Sequence, residues 1–394
     1  MERVSDRGIV GRRAVLAAAG VALAGCADSD GGEPETTPIP DAEREAFDSG
    51  WPTFARDATN TGYAPDISGP YTEIGERWRF ETDGSIAASP AIAGNTLYVG
   101  STDGSLYALD PYVGAEIWSF GTDGPVTTTP AVVDGTVYIG SGDERLYAID
   151  AADGTERWRF DVGDRVGSSP TVVGDTVYVG GVNSSVFAVD RNSGEQRWRF
   201  GTGASVLSTP AVADGTVYVG AGDLNVYALE AASGDEQWRF RTRGIVSSDP
   251  AVVDGTVYTG SRDSTLYALN ADNGEPTLQF DANEQIQGSP AIARGTVFVG
   301  STDGFLYAIG TDGGEDDGRW RFRTGDSVIA SPVATQNHVF VASTSGNVFC
   351  ILPEDGGTVW RFEAEAAVHE GPAVTDEWLY FGDVNGTVYA IGSG

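Results

Sequence analysis

Acidic side chains recur at a spacing of forty residues along this chain of 394 residues. They are Asp103, Asp143, Asp223, Asp263 and Asp303. The equivalent places elsewhere are held by Asn183, Ser345 and Asn385. Five carboxylates on one face could collect Ca²⁺, which prefers oxygen ligands, or meet a basic partner. Asp also makes turns by hydrogen-bonding its own backbone, so the sequence leaves a metal site and a structural turn both open.

A second group of polar side chains stands out because it breaks the repeat. The segments "TDGSI", "VGDRV", "TRGIV", "ANEQI" and "AEAAVHE" occupy equivalent positions but differ most between repeats. The residues that interrupt their pattern are Arg165, Arg243, Glu284, Gln285, His369 and Glu370. Repeated positions serve the framework, whereas positions that differ are free to specialise. We expect these six residues on the face of the acidic turns, near a channel mouth, and predict that this face binds a partner.

Side chains suited to nucleophilic or metal-assisted catalysis are scarce. The two histidines, His338 and His369, are expected to be isolated surface residues, and the two cysteines are Cys26 and Cys350. The motifs G-x-S-x-G, H-E-x-x-H, C-x-x-C and the Walker loop are absent. The sequence therefore predicts a protein that is not an enzyme, with no catalytic residues, cofactor or metal.

The composition is strongly acidic. Asp and Glu number 57 against 24 basic residues, all of them Arg, which gives a net charge of −33. Such a charge argues against nucleic acid as a partner, because phosphates would be repelled. It suits very salty surroundings, where the Debye length falls to about 3 Å at 1 M salt and self-repulsion is screened. The composition resembles that of haloarchaeal proteins.

The first fifty residues indicate export and anchoring. Arg12 and Arg13 precede a short apolar run and "LAGC", which resembles a lipobox ending at Cys26. We interpret residues 1–25 as a twin-arginine signal peptide and Cys26 as the lipid anchor on the extracytoplasmic side of the membrane. Residues 26–50 are acidic and poor in large apolar side chains, which is typical of a disordered tether. The folded domain is predicted to span residues 51–394.

The domain is built on a period of forty. Tryptophans mark it at Trp78, Trp118, Trp158, Trp198, Trp238, Trp320 and Trp360, with Leu278 in the remaining place. Prolines mark it at Pro90, Pro130, Pro170, Pro210, Pro250, Pro290, Pro332 and Pro372. A period near forty that is filled by short strands and turns indicates propeller blades. Each unit contains four alternating segments separated by turn residues, so the sequence predicts four antiparallel strands per blade and eight blades.

The two ends of the pattern predict how the ring closes. The first match, "GERWRF" at Gly75–Phe80, is a fourth strand that lacks the three before it. The last match, at Gly371–Gly392, supplies three strands that lack a fourth. The fold class is therefore an all-β, eight-bladed propeller in which the N-terminal strand completes the C-terminal blade. "WPTFARDATNTGY" (Trp51–Tyr63) is expected to dock its aromatic side chains on the ring.

The repeats resemble the docking motif A-x-D-x-x-x-G-x-x-x-W of the PQQ-repeat (pyrroloquinoline-quinone-like) β-propeller family. Three copies match it in full: Ala108, Asp110, Gly114 and Trp118; Ala148, Asp150, Gly154 and Trp158; and Ala188, Asp190, Gly194 and Trp198. The resemblance implies that each Trp packs across a blade boundary onto the small Ala. Cys350 stands in an Ala position and is expected to be a buried packing residue.

The resemblance implies two functions and leaves a third open. In quinoprotein dehydrogenases of this family an adjacent pair of cysteines stacks on pyrroloquinoline quinone, and acidic and amide side chains hold a Ca²⁺ ion. This chain has no adjacent pair of cysteines. BamB-like lipoproteins share the plan without catalysis. We therefore expect a membrane-anchored, monomeric scaffold that binds other envelope proteins or a surface ligand. A quinone- or metal-dependent oxidoreductase and a surface sensor or carbohydrate-binding module are the alternatives.

Overall fold

A computed structural model describes residues 51–72, 74–312 and 318–393. Within these ranges the chain is all-β and contains no helix. Eight sheets of four antiparallel strands form the blades, seven of them with their strands in sequence order, and a short fifth strand joins one of these seven. The predicted eight-bladed propeller is confirmed. The proposed signal peptide, Cys26 and the tether lie outside the described residues.

The first four blades run from inner to outer strand. They contain β3 to β6 (Ala91–Ala93, Thr96–Gly100, Ser105–Leu109, Glu116–Gly121), β7 to β10 (Ala131–Val133, Thr136–Gly140, Arg145–Asp150, Glu156–Asp161), β11 to β14 (Thr171–Val173, Thr176–Gly181, Ser185–Asp190, Gln196–Gly201) and β15 to β18 (Ala211–Ala213, Thr216–Gly220, Asn225–Glu230, Glu236–Arg241).

Blades five to seven repeat this order. They contain β19 to β22 (Ala251–Val253, Thr256–Gly260, Thr265–Asn270, Pro276–Asp281), β23 to β26 (Ala291–Ala293, Thr296–Gly300, Phe305–Gly310, Gly318–Arg323) and β27 to β30 (Val333–Thr335, Val339–Ala342, Asn347–Ile351, Thr358–Glu363). The short β1 (Tyr63–Ala64) pairs in parallel with β27.

Blade eight is assembled from both ends of the chain. β31 (Ala373–Val374), β32 (Trp378–Gly382) and β33 (Thr387–Ser393) come from the C-terminus, and β2 (Ile74–Glu81) supplies the outer strand. β2 pairs antiparallel with β33, from Ile74 opposite Ser393 to Glu81 opposite Thr387. The predicted closure is confirmed. We call β2 the latch, and it is one residue longer at each end than the sequence pattern indicates.

Turn residues determine the hairpin that joins the first two strands of a blade. In blade two, Asp134 and Gly135 both adopt positive φ, at 48° and 69°. A two-residue hairpin turn with positive φ at both positions matches the twist of the strands it joins. The hairpin sets Ala131 opposite Tyr138, so both side chains lie on the same face of the sheet, in the apolar cluster shared with blade three.

The apolar core is distributed between the blades. One cluster joins Tyr138 and Ala148 of blade two to Val177 and Phe187 of blade three, all nearly inaccessible to solvent. Equivalent clusters join the other neighbours. Each blade therefore buries its faces only against its neighbours, and the ring is the unit that excludes water. We find no helix in the described ranges that is long and apolar enough to cross a membrane.

The tryptophan seams correct one detail of the sequence interpretation. Ala148 lies opposite Trp158 in its own blade, rather than across the boundary. The contact across the boundary is made with glycine, because a Cβ added at Gly194 would lie 2.9 Å from the Trp158 ring. The Trp158 indole N–H also donates to the Arg191 carbonyl at 2.9 Å. The glycine of the motif is therefore the surface on which the preceding blade's indole stacks.

Candidate binding site in the central channel

The segment before the first blade closes one end of the ring. Residues 51–67 pass from blade to blade, and their carbonyl groups accept hydrogen bonds from backbone N–H groups of the inner strands. The Pro52 carbonyl accepts from Val132 and the Thr59 carbonyl from Val252. Further acceptors are the carbonyls of Trp51, Ala58, Thr61 and Gly62. We call residues 51–63 the plug, and Trp51 and Phe54 are buried in it, as predicted.

The opposite end of the ring carries the connections between blades and the turns between second and third strands. These two kinds of loop lie together, since Thr122 N–H donates to the Gly104 carbonyl at 2.7 Å and Thr102 N–H donates to the Ser85 carbonyl at 3.0 Å. We call this end the open face. It carries the variable segments and the acidic turns together, as the sequence predicts.

A cavity of about 270 Å³ lies on the axis between the open face and the plug. Phe54 of the plug lines it, together with residues of all eight blades that precede the inner strands. Asn60 holds the plug in place, because its side-chain amide donates to the carbonyls of Thr209 at 3.2 Å and Pro250 at 3.1 Å. The channel is therefore a cup with a polar wall and an aromatic residue in its base.

A chain of side-chain hydrogen bonds links the blades around the cup. The residue before each repeated proline is a Ser or Thr in six blades, and in several its oxygen accepts the N–H of the equivalent residue one blade earlier. Thr129 N–H donates to Ser169 Oγ at 2.9 Å, and Ser289 N–H donates to Ser331 Oγ at 3.0 Å. The two exceptions are Asp249 and Gly371. A hydroxyl oxygen that accepts a backbone N–H in this ring still has its O–H to donate, and Ser289 donates its own to Asp249.

Asp249 is the charged member of the ring. It is 9% exposed, and its carboxylate accepts the Thr209 N–H and the Ser289 hydroxyl, the latter at 2.7 Å. Burial is the main cause that raises the pKa of Asp249 to about 6, against the hydrogen bonds that lower it. At pH 7 the carboxylate is mainly ionised. A shifted pKa in a concave site is a feature of functional residues.

Glu370 faces the same cavity from blade eight. Burial first, and the charge of Asp249 second, raise the pKa of Glu370 to about 8, so Glu370 is mainly protonated at pH 7. Burial also lowers the pKa of His369, which leaves that imidazole neutral. Arg262 lies exposed at the mouth, where its Nε donates to Ser247 Oγ at 3.3 Å. Among the residues that line the cavity, Asp249 thus supplies a negative charge at neutral pH and Arg262 a positive charge at the mouth.

The six residues predicted for the partner-binding face fall into two groups. Arg165, Arg243, Glu284 and Gln285 are exposed on the open face, around the cup. His369 and Glu370 are partly buried and line the cup itself.

The acidic turns hold the blades together. The Asp263 carboxylate accepts the Thr265 N–H at 3.0 Å, the Tyr267 hydroxyl at 2.9 Å and the Arg243 N–H of the preceding blade at 2.8 Å. Asp103, Asp143, Asp223 and Asp303 make the same three kinds of contact. In blade eight Asp383, two positions earlier, bonds the equivalent Tyr389 hydroxyl at 3.0 Å. Among the described residues, no three His, Cys, Asp or Glu side chains cluster as metal ligands.

His338 and Cys350 make contacts that support the fold. His338 is 8% exposed rather than a surface side chain. Its ring stacks on Tyr71 and its Nδ1 lies 3.0 Å from the Ser68 carbonyl, so it fixes the chain that follows the plug. Cys350 lies fully buried opposite Trp360, as expected for an Ala position. Burial raises the pKa of the Cys350 thiol well above its usual range.

Sequence reasoning missed Asp249, and it predicted that Phe54 docks on the ring without placing it in the cup. The signal for Asp249 is "SSDP", where six of the other seven repeats have Ser or Thr before the proline. A single acidic substitution at a framework position is easily absorbed into an acidic composition. Phe54 lies in a segment that matches no repeat, and only its contacts place it in the cup.

Comparisons with known proteins agree with this architecture. The family model described as outer membrane protein assembly factor BamB matches residues 75–164, 142–244, 222–325 and 314–393. BamB from Moraxella catarrhalis is similar in structure, with a TM-score of 0.70 at 21% identity over 81% of this chain and 100% of that one. Quinohemoprotein alcohol dehydrogenase from Comamonas testosteroni has a TM-score of 0.76 at 15% identity, over 89% of this chain and 81% of that one. No curated protein sequence matches significantly.

Proposed function

Because the chain belongs to the PQQ-repeat family of the outer membrane protein assembly factor BamB, we propose that it is a non-catalytic binding protein of the cell envelope. The observation that carries the proposal is the asymmetry of the ring. The plug closes one end, and the loops that differ between repeats surround the mouth at the other. The open face is therefore the surface on which a partner protein or ligand binds.

Electrostatics on the open face favour a partner with mixed charge. Arg165, Arg243 and Arg262 are exposed there beside Glu284, on a protein whose net charge is −33. Arginine is enriched at protein interfaces because its guanidinium forms planar, directional contacts. A few arginines against an acidic background would set the orientation of a bound partner.

The cup fits pyrroloquinoline quinone poorly. That cofactor is a tricarboxylate, whereas the wall of the cup carries Asp249 and Glu370, and its one guanidinium lies at the mouth. Carboxylates next to carboxylates are unfavourable in a partly buried site. Cys350, the one described cysteine, lies buried in a blade core and cannot stack on a ligand in the cup. We derive no redox step through this group.

Crosslinking in native membranes followed by mass spectrometry tests the binding role. The double variant Arg165→Glu and Arg243→Glu should lose the crosslinked partner. Arg294→Glu, in an exposed hairpin turn at the plugged end, is the matched control and should retain it. Equal capture by both variants would contradict the assignment of the open face.

The membrane position belongs to the same proposal and rests on the lipobox at Cys26. Cys26→Ser removes the atom to which lipid would attach, and with it the proposed hydrophobic attachment. The variant should move from the membrane fraction to the medium, which immunoblotting of the two fractions measures. A variant that stays with the membrane would show that the lipobox interpretation is wrong.

An oxidoreductase is the alternative function, and one titration separates it from the proposal. Purified protein is mixed with pyrroloquinoline quinone and Ca²⁺, the quinone absorbance is recorded, and a primary alcohol is then added. If the protein is a non-catalytic binding protein, the absorbance spectrum remains that of free quinone. A shifted spectrum that bleaches on adding the alcohol would replace the proposed function with a quinoprotein activity.

A further inference from the structure

The cup has the size and the variety of polar groups of a small-molecule site. A volume of about 270 Å³ equals that of about nine water molecules, at about 30 Å³ each. That space suits a ligand the size of a single sugar ring. Small-molecule sites combine an apolar surface with a few placed polar groups. In the cup, Phe54 supplies the apolar surface, and the residues that precede the repeated prolines supply the polar groups.

The wall of the cup carries both hydrogen-bond donors and acceptors. Thr129 and Ser169 accept backbone N–H groups from the neighbouring blade, so each keeps its O–H as a donor. Asp249 accepts one N–H and one O–H from the protein, which leaves lone pairs of its carboxylate for a ligand. Thr127 and Gln287 add further polar groups nearer the mouth. A ligand that both donates and accepts at several atoms matches this wall.

The charged groups that line the cup oppose each other. Asp249 is ionised at neutral pH, Glu370 is protonated and His369 neutral. An anion in the cup would be repelled by the Asp249 carboxylate, and a cation would be attracted by Asp249 but repelled by the Arg262 guanidinium, which also lines the cavity. A neutral ligand meets neither cost, and its hydroxyl groups can donate to Asp249 in strong, charge-assisted hydrogen bonds.

We propose that the cup binds a neutral polyhydroxylated ligand, a sugar or polyol, with Asp249 accepting its hydroxyl groups and Phe54 beneath it. The inference rests on the proposed binding role of the open face and names the ligand class of its central cavity. The ligand is either a free sugar or the terminal sugar of a surface glycan, since both present the same hydroxyl groups to the cup.

Titration calorimetry on the full chain tests the ligand class. The probes are glucose, galactose, mannose, N-acetylglucosamine and glycerol, with spermidine and inorganic phosphate as ionic probes and pyrroloquinoline quinone with Ca²⁺ as a third. At least one neutral probe should bind with a dissociation constant below about 10 mM. Absence of binding by every neutral probe, or binding of an ionic probe alone, overturns the proposal. Methyl glycosides and oligosaccharides that end in the same sugar separate a free sugar from a glycan end.

Asp249→Asn keeps the size of the side chain and its acceptor for Thr209 but removes the charge. It should weaken sugar binding at least tenfold, whereas Asp272→Asn, at an exposed position on another turn, should not change it. If Asp249→Asn lowers the melting temperature, Thr127→Val serves instead, and a severalfold loss is expected. Unchanged affinity in the folded variant overturns the assignment of Asp249, or of the cup when Thr127→Val is used.

The pH profile supplies a second readout. Glu370 lines the cup together with Asp249, His369 and Arg262, and its ionisation above about pH 8 removes a donor. Affinity should fall severalfold from pH 7 to pH 9 in the parent and stay level in Glu370→Gln. A level parent profile contradicts the role of Glu370. Partner capture through Arg165 and Arg243 is measured separately, so loss of sugar binding alone leaves the proposed function standing.

Discussion

At the scale of single residues, the seams between blades depend on indoles that stack on glycine. Trp238 is 8% exposed, a Cβ at Gly274 would lie 2.6 Å from its ring, and its N–H donates to the Ala271 carbonyl at 2.8 Å. The side chain therefore contributes both packing and one directional bond to the boundary between blades four and five.

Trp238→Ala should lower the free energy of unfolding by about 3–5 kcal/mol, because it empties a buried aromatic site and removes the shorter of the two hydrogen bonds to the Ala271 carbonyl, which keeps the bond from the Tyr218 hydroxyl. Ile117→Ala, on an outer strand where the side chain is 51% exposed, is the control and should change it by at most about 0.5 kcal/mol. Denaturant titration measures both. Equal, small losses would mean that the indole is not part of the seam.

Glu370 makes stability depend on pH. Its folded-state pKa is raised from 4.5 to about 8, so folding favours the protonated form. The stability of the folded state is therefore highest below pH 4.5 as far as this group is concerned, and declines by up to about 1.4 kcal/mol per pH unit up to pH 8. Glu370→Gln should remove this slope between pH 5 and 8, whereas Glu275→Gln, which is exposed, should preserve it. Melting curves at several pH values measure the difference, and parallel profiles for all three proteins would refute the assignment.

At the scale of elements, the blade follows from sequence and the cup does not. The forty-residue period, the hairpin turn at Asp134–Gly135 and the missing outer strand were sufficient to predict eight blades and their closure, because they are local signals repeated eight times. The position of Phe54 depends on carbonyl contacts to six blades, which no local pattern encodes. The same limit applies to the contact of each indole. The spacing indicates the Ala and the Gly of the motif as its partners, but not which of the two lies across the blade boundary.

One seam differs from the others, because Leu278 takes the place of a tryptophan. Leu278 is as buried as Trp198 and Trp238, at 8% exposure, but it is smaller and has no indole N–H to donate. We expect hydrogen exchange among the blade boundaries to open first between blades five and six. Leu278→Trp either slows this exchange or overpacks the seam, at a cost of about 1–3 kcal/mol. Exchange that opens first between β2 and β33 would contradict this ranking.

At the scale of the whole molecule, the ring is held by one latch. β2 pairs along its whole length with β33, and the indole of Trp78 reaches across to the Pro111 carbonyl of blade one at 2.8 Å. The latch thus completes blade eight and also seals it against blade one. A single strand from the N-terminus therefore converts a curved array with two ends into a closed ring.

Deleting Gly75–Phe80 should leave an unpaired strand edge at β33, which promotes aggregation, and should lower the melting temperature strongly. The full chain with Glu81→Gln, an exposed change in the same strand, is the control and should melt like the parent. Adding a peptide of residues 74–81 to the deletion protein should restore part of the loss. A deletion protein with the melting temperature of the parent would mean that the ring closes elsewhere.

The plug also fixes the order in which the molecule can be completed. Asn60 bonds a carbonyl 190 residues further along the chain, and Ser68 meets His338 across 270 residues. During synthesis these partners do not yet exist when residues 51–81 leave the ribosome, so this segment must wait for the later blades. Limited proteolysis of a chain arrested near residue 200, which lacks the partners of the plug in blades four to seven, should therefore cut residues 51–72 while the early blades resist. The cup is formed only when translation ends, so an incomplete chain presents blades without a binding site.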